Sequence, residues 1–147
     1  MQTYTASQTF AWSREQLFDL AADVERYPQF LPGWIDASIL ERSDQRLRVR
    51  QQLGLQLLRQ PFISTATLQR PERISIDSED GPFRCLHIEW RFETVNPAQT
   101  GVSLSINLQL HSRFLETMAG ALFNLAAADI VARFGTRAHQ IYGPEPA

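Results

Sequence analysis

The sequence predicts an α+β fold in two layers, an antiparallel sheet covered by one long helix. Apolar and polar side chains alternate with period two through residues 35–112. From Arg113 to Ile141 the apolar spacing changes to three and four. A single strand and a short helix precede both stretches. Antiparallel sheets with one covered and one wet face alternate in this way. The closing helix is the one element large enough to cover such a sheet.

The 147 residues predict a single domain spanning 1–147, long enough to bury a proper core without staples. With 44% apolar and 20% charged residues, the composition excludes a disordered chain or a fibrous rod. A net charge of −2 provides no global positive field for nucleic acid, so DNA is not an expected partner. A local basic patch remains open. One cysteine, Cys85, cannot close an intramolecular disulfide. The N-terminus shows no basic and apolar leader, and no stretch approaches the roughly 18 apolar residues of a membrane span. The expected compartment is the cytoplasm.

Residues 2–10, rich in Thr and Tyr, read as the first strand. Ser13 and Gln16 form a capping box that starts a helix, with Leu17, Phe18, Leu20, Ala21 and Val24 on its apolar face. That helix is expected to fade near Tyr27, because Pro28 disfavours the α region before it. Two prolines and a glycine predict an irregular segment over residues 28–34, although Phe30, Leu31 and Trp34 are large and apolar.

Leu47, Val49 and Leu53 alternate with Arg46, Arg48, Arg50 and Gln52, a strand with one wet face. Phe62 to Leu68 form another strand after Pro61, and Ile74 and Ile76 a short one closing at Glu79-Asp80-Gly81-Pro82. Leu86, Ile88, Trp90 and Phe92 share a face opposite His87, Glu89, Arg91 and Glu93. After a turn from Asn96 to Gly101, Val102 to Leu110 alternate again, and the two strands pair as a long hairpin. The last helix carries its stripe through Phe114, Met118, Leu122, Leu125, Ala126, Ile130, Phe134, Ala138 and Ile141, and Gly143-Pro144 stops it.

Catalytic chemistry is not legible. His87 and His111 lie on polar strand phases and His139 near the end of the last helix, none in a nucleophile–base arrangement. Cys85, His87 and Glu89 share one strand face, but no second ligand cluster accompanies them, and they read as a solvated surface. Asp77, Glu79 and Asp80 read as turn residues. No phosphate loop or dinucleotide fingerprint occurs. The expectation is a non-enzymatic protein without metal or required cofactor.

Several segments carry a family likeness. Asp23-Val24-Glu25-Arg26-Tyr27-Pro28-Gln29-Phe30-Leu31-Pro32 resembles the signature of the coenzyme-Q-binding START-like (polyketide cyclase/lipid transport, SRPBCC) family, which includes a bacterial ribosome-association toxin branch. Gly81-Pro82-Phe83-Arg84, then Glu89-Trp90-Arg91-Phe92, is similar to a second family segment. Ser112-Arg113-Phe114-Leu115 through Ile141-Tyr142-Gly143 is similar to its last helix. The family pattern places Trp directly after the loop proline, whereas here Gly33 intervenes before Trp34.

The resemblance implies a helix-grip fold of the START/Bet v 1-like kind, a curved antiparallel sheet wrapped around a long C-terminal helix with an apolar cavity between them. Three groups of side chains would converge there. The loop and the turn before it supply Tyr27, Phe30, Leu31, Pro32 and Trp34; one strand supplies Leu86, Ile88, Trp90 and Phe92; the helix supplies Met118, Leu122, Ile130 and Phe134. The loop either gates the cavity, dips into a membrane surface, or plugs the end of the sheet. The implied function is carriage of a polyisoprenoid quinone, ubiquinone or a similar lipid, in support of respiration, with peripheral contact at the inner membrane. Two alternatives stand beside it. One is a toxin that binds the large ribosomal subunit and blocks subunit joining, using the row Arg46, Arg48 and Arg50, which could equally face anionic lipid. The other is a polyketide cyclase or dehydratase, for which Gln51 is the nearest inward polar candidate.

Overall fold

The computed structural model describes residues 2–31, 33–55 and 58–144, apart from the side chains of residues 55, 58, 115 and 118–126. In chain order it has β1 (Gln2–Phe10), α1 (Arg14–Ala22), a 3-10 helix (Val24–Gln29), β2 (Trp34–Arg42), β3 (Arg46–Leu55) and β4 (Leu58–Gln69). There follow β5 (Arg73–Ser78), β6 (Phe83–Asn96), β7 (Gln99–Leu110) and α2 (Arg113–Tyr142). The seven strands form one antiparallel sheet in the order β1-β7-β6-β5-β4-β3-β2. Register shifts in β2 and β6 bend the strands as β-bulges do. Both layers match the expectation from periodicity.

Ser13 caps α1 as expected: its Oγ accepts from Gln16 N at 3.1 Å, and the Gln16 side chain accepts from Ser13 N at 3.1 Å. The helix ends earlier than the sequence suggests, at Ala22. Asp23 leaves the α region (φ −82°, ψ 66°) and the chain tightens into the 3-10 helix, which contains Pro28. Pro28 and Gln29 are therefore helical where the sequence suggests an irregular segment. The tighter turn brings the Tyr27 hydroxyl back to donate to the Ala21 carbonyl, satisfying an acceptor at the end of α1.

Strand β4 begins at Leu58, before Pro61. Pro61 is tolerated because β5 pairs only with residues 65–69, leaving this end of β4 bonded to β3 alone. On the open side, the Ile63 N–H donates to Asp80 Oδ2 at 2.8 Å. Gly81 lies at φ +62°, and a Cβ there would stand 2.5 Å from the Pro61 carbonyl oxygen, so this turn requires glycine. Strand β7 starts at Gln99, so Gly101 belongs to the ladder and not to the turn.

The inner face of the sheet, the apolar face of α1 and the 3-10 helix, and the described second half of α2 make the core. Leu47, Val49, Ile74, Leu86, Ile88, Trp90, Phe92 and the apolar phase of β7 are buried, against Ile130, Val131, Phe134 and Ala138. Fully burying each large side chain contributes about 1.5–3 kcal/mol. Phe114 and Ile141 are exposed instead of joining the stripe; they sit in the first and last turns of α2. The Tyr142 hydroxyl donates to Gln16 O at 2.8 Å, tying the end of α2 to α1. The edge of β2 is protected where Ile39 N donates to the Glu25 carboxylate at 3.0 Å.

Candidate functional site

The segment that links the 3-10 helix to β2 folds inward. Phe30 N and Leu31 N both donate to Tyr27 O, at 3.1 and 2.8 Å, so the turn closes on itself. Gly33 at φ +84° reverses the chain, and its carbonyl accepts from Gly54 N of β3 at 2.9 Å. Leu31 and Trp34 are consequently buried, and the Tyr27 ring meets Phe30 and Trp34 edge-on at 5.9 and 6.0 Å. In this arrangement Leu31 and Trp34 pack into the core.

Behind it lies a small space between sheet and helix. Its walls are Tyr27, Leu31 and Trp34 from the loop side, Ile76, Ile88 and Trp90 from β5 and β6, Leu104 and Ile106 from β7, Ile130 from α2, and Gln51 from β3. Register explains the convergence: Ile76 pairs with Ile88, which pairs with Ile106, and Trp90 pairs with Leu104. The space measures about 10 Å³, the room of one water molecule.

Six of the sequence-selected residues thus meet around one space: Tyr27, Leu31, Trp34, Ile88, Trp90 and Ile130. Others pack nearby without lining it. Phe92 stacks on Trp90 at 6.3 Å and meets Phe18 edge-on at 5.8 Å; Phe134 lies 5.0 Å from Trp90; Leu86 is buried. Phe30 is half-buried beneath Arg137. Pro32 and the side chains of Met118 and Leu122 lie outside the described residues. Ile76, Leu104 and Ile106 join the wall without a sequence signal for the site, because strand alternation marks the inner face but not which strands adjoin.

Gln51 is the one amide side chain among the described residues of this wall and is 4% exposed. It occupies the inward phase of β3 between Val49 and Leu53. The Trp34 indole N–H donates to its Oε1, and its Nε2 donates to Ser64 Oγ, both at 3.4 Å. A buried amide left with unmet capacity costs about 1–3 kcal/mol, and an apolar residue here would in turn leave the Trp34 indole N–H and the Ser64 hydroxyl without this partner. Tyr27 is the titratable group of the wall. Burial pushes its phenol well above the usual range; Asp23 adds to this and the Trp90 indole N–H opposes it. At neutral pH it is a protonated phenol whose proton is engaged by Ala21 O.

The outer face holds the charges. His87 Nδ1 lies 2.7 Å from Asp77 Oδ1, Glu89 lies 3.7 Å from His87 Nε2, and Arg91 Nε donates to Glu89 at 2.5 Å. Burial alone would raise the Glu89 pKa, but Arg91, Arg73 and His87 outweigh it and hold the carboxyl below its usual value. Cys85 is half-buried, and no group of three or more metal-ligating side chains occurs among the described residues. Arg46, Arg48 and Arg50 stand exposed in a row on β3. Arg48 pairs with Glu41 at 3.6 Å, while Arg46 and Arg50 make no ion pair among the described residues. No described helix is long and apolar enough to cross a membrane.

A bent antiparallel sheet gripping a long helix, with an apolar space between them, defines the helix-grip class of ligand-binding domains. Within it, the chain belongs to the polyketide cyclase/dehydrase and lipid transport family, whose model matches residues 11–135. It is similar to proteins named ribosome association toxin RatA. The one from Pseudomonas aeruginosa is 35% identical over 86% of this chain and 88% of its own. The one from Vibrio cholerae is 31% identical over 97% and 99%. It is also similar to the mitochondrial coenzyme Q-binding protein COQ10 homolog B of Xenopus laevis, 23% identical over 95% of this chain and 59% of that one. Two solved structures share the fold. A Thermus thermophilus protein superposes with a TM-score of 0.83 at 16% identity, covering 95% of this chain and 99% of its own. The Zhui aromatase/cyclase from Streptomyces sp. R1128 does so at 0.78 and 18%, covering 95% of each.

Proposed function

We propose that this chain binds a hydrophobic small molecule, a polyisoprenoid quinone such as ubiquinone or a similar lipid, between its sheet and last helix, and carries it without transforming it. The observation that supports this best is the apolar space walled by Leu31, Trp34, Trp90 and Ile130, four side chains from separate elements. The coenzyme Q-binding name of the Xenopus relative points the same way. Pockets that take small ligands measure about 300–1,000 Å³, so a ligand in this space displaces part of the wall, and Leu31 with Trp34, at the start of β2, is the part to move. Exchange would take place at a membrane surface. A cyclase reading gains little support, because Tyr27 is neither a base nor a free acid at neutral pH. Titration of delipidated protein with a short-chain ubiquinone, followed by tryptophan fluorescence, should saturate; quenching linear in quinone overturns the proposal.

A second reading is ribosome association, supported by the naming of the 31–35% identical relatives and by the exposed Arg46 and Arg50. Cosedimentation with ribosomes should weaken as salt rises and weaken further in Arg46→Ser/Arg50→Ser. Absence of cosedimentation at low salt, or binding indifferent to salt, overturns this reading.

A further inference from the structure

We infer that the ligand carries a neutral hydrogen-bond-accepting head, a ketone or quinone carbonyl, and that Gln51 receives it. The inference rests on the cavity reading proposed above and adds to it a polarity and a position.

A glutamine side chain offers two N–H donors and two acceptor positions. An indole N–H can only donate, so the Trp34 contact assigns the amide oxygen to Trp34 and turns Nε2 toward Ser64. One N–H and one acceptor position of Gln51 are then unused among the described residues. The two bonds it does make, at 3.4 Å, are longer than the usual 2.7–3.2 Å. This half-used amide is nine-tenths buried, beside a space with the room of one water.

Inward positions flanking Gln51 on β3 are apolar, as are Ile76, Ile88 and Leu104 across the space. A glutamine that served packing alone would spend its whole capacity on its neighbours, whereas here Trp34 and Ser64 take up only half of it. One that meets a ligand supplies a donor not already engaged within the protein, unlike the Tyr27 O–H and the Trp34 and Trp90 indole N–H, in a low-dielectric setting where the bond is strong and its omission costly. The wall contains no cationic side chain among the described residues, so a carboxylate head would be buried without a counter-charge. The chemistry favours neutral carbonyl heads over both plain hydrocarbon and fatty-acid anions.

The test uses displacement of N-phenyl-1-naphthylamine from the full chain by 2-tridecanone, n-tridecane and tridecanoate at pH 8, each delivered from cyclodextrin. The ketone should displace the probe at about tenfold lower concentration than the alkane or the carboxylate. In Gln51→Met, which keeps length and removes the amide, the advantage over the alkane should fall to within about twofold, and in Ser64→Ala it should persist in part. Cooperative thermal unfolding of each variant establishes that it is folded. Equal displacement by ketone and alkane in the unaltered chain, or an advantage that survives in folded Gln51→Met, overturns the inference and leaves the cavity reading standing. Failure of the unaltered chain to bind the probe or any competitor overturns both.

Discussion

The guanidinium carbon of Arg137 lies 5.4 Å from the centre of the Phe30 ring. The same side chain donates from Nη2 to Gln29 Oε1 at 2.9 Å. A residue of the last helix therefore holds down the end of the 3-10 helix, through a cation–π contact and a hydrogen bond at adjacent positions.

Arg137→Ala should cost about 1 kcal/mol in urea unfolding, the scale of a partly exposed cation–π contact with one polar bond. Its larger effect should be kinetic. Stopped-flow release of N-phenyl-1-naphthylamine should accelerate severalfold, and an unchanged release rate would show that the loop does not govern access.

Trp90 is 2% exposed, stacked on Phe92 and close to Phe134, while its other side faces the space by Gln51. Trp90→Ala should lower stability by about 3–5 kcal/mol, measured by denaturant unfolding. A loss below about 1 kcal/mol accompanied by lost ligand would mark Trp90 as wall alone and not as core.

Gly135 lies against the ring of Phe10: a Cβ at this position would fall well inside contact distance of Phe10 Cε1. Alanine would improve helix propensity by up to about 1 kcal/mol. Phe10 is confined by Trp12 at 6.0 Å and Phe134 at 6.4 Å, so it cannot easily yield. Gly135→Ala should therefore be net destabilising by about 1–3 kcal/mol in thermal or urea melts, whereas a stabilised variant would show that the β1–α2 contact is loose.

Tyr27, Tyr4 and Tyr142 all have phenols raised above their ordinary value of 10.0, Tyr27 furthest, chiefly through burial. Above pH 10 the unfolded chain releases protons that the folded chain retains. Stability is thus full below pH 10 and declines as the pH climbs past it. Tyr27→Phe should flatten that alkaline decline more than Tyr4→Phe, while losing some stability at pH 7 with the bond to Ala21 O. Equal slopes in the two variants would contradict the burial of Tyr27.

The layered fold was legible because period-two and three–four patterns report directly which side of a strand or helix is wet. The capping box at Ser13 and the glycine turn at Gly81 were equally plain, since each depends on neighbours in the chain. Other features escaped for the opposite reason. Pro61 reads as a strand breaker until β5 is seen to stop short of it, and Pro28 reads as a loop until the 3-10 turn closes onto Ala21.

Sequence by itself determined the two layers, the order of elements apart from β2 and the 3-10 helix, and the apolar inner face, because these follow from local propensity and periodic burial. Tertiary structure alone decided that Leu31 and Trp34 turn inward, that Ile76, Ile88 and Ile106 stand side by side, and that Gln51 meets Trp34 and Ser64. Which strands adjoin and which side chains face one space depends on sheet order and bulged register. Those are properties of contacts between distant segments, and no local pattern encodes them.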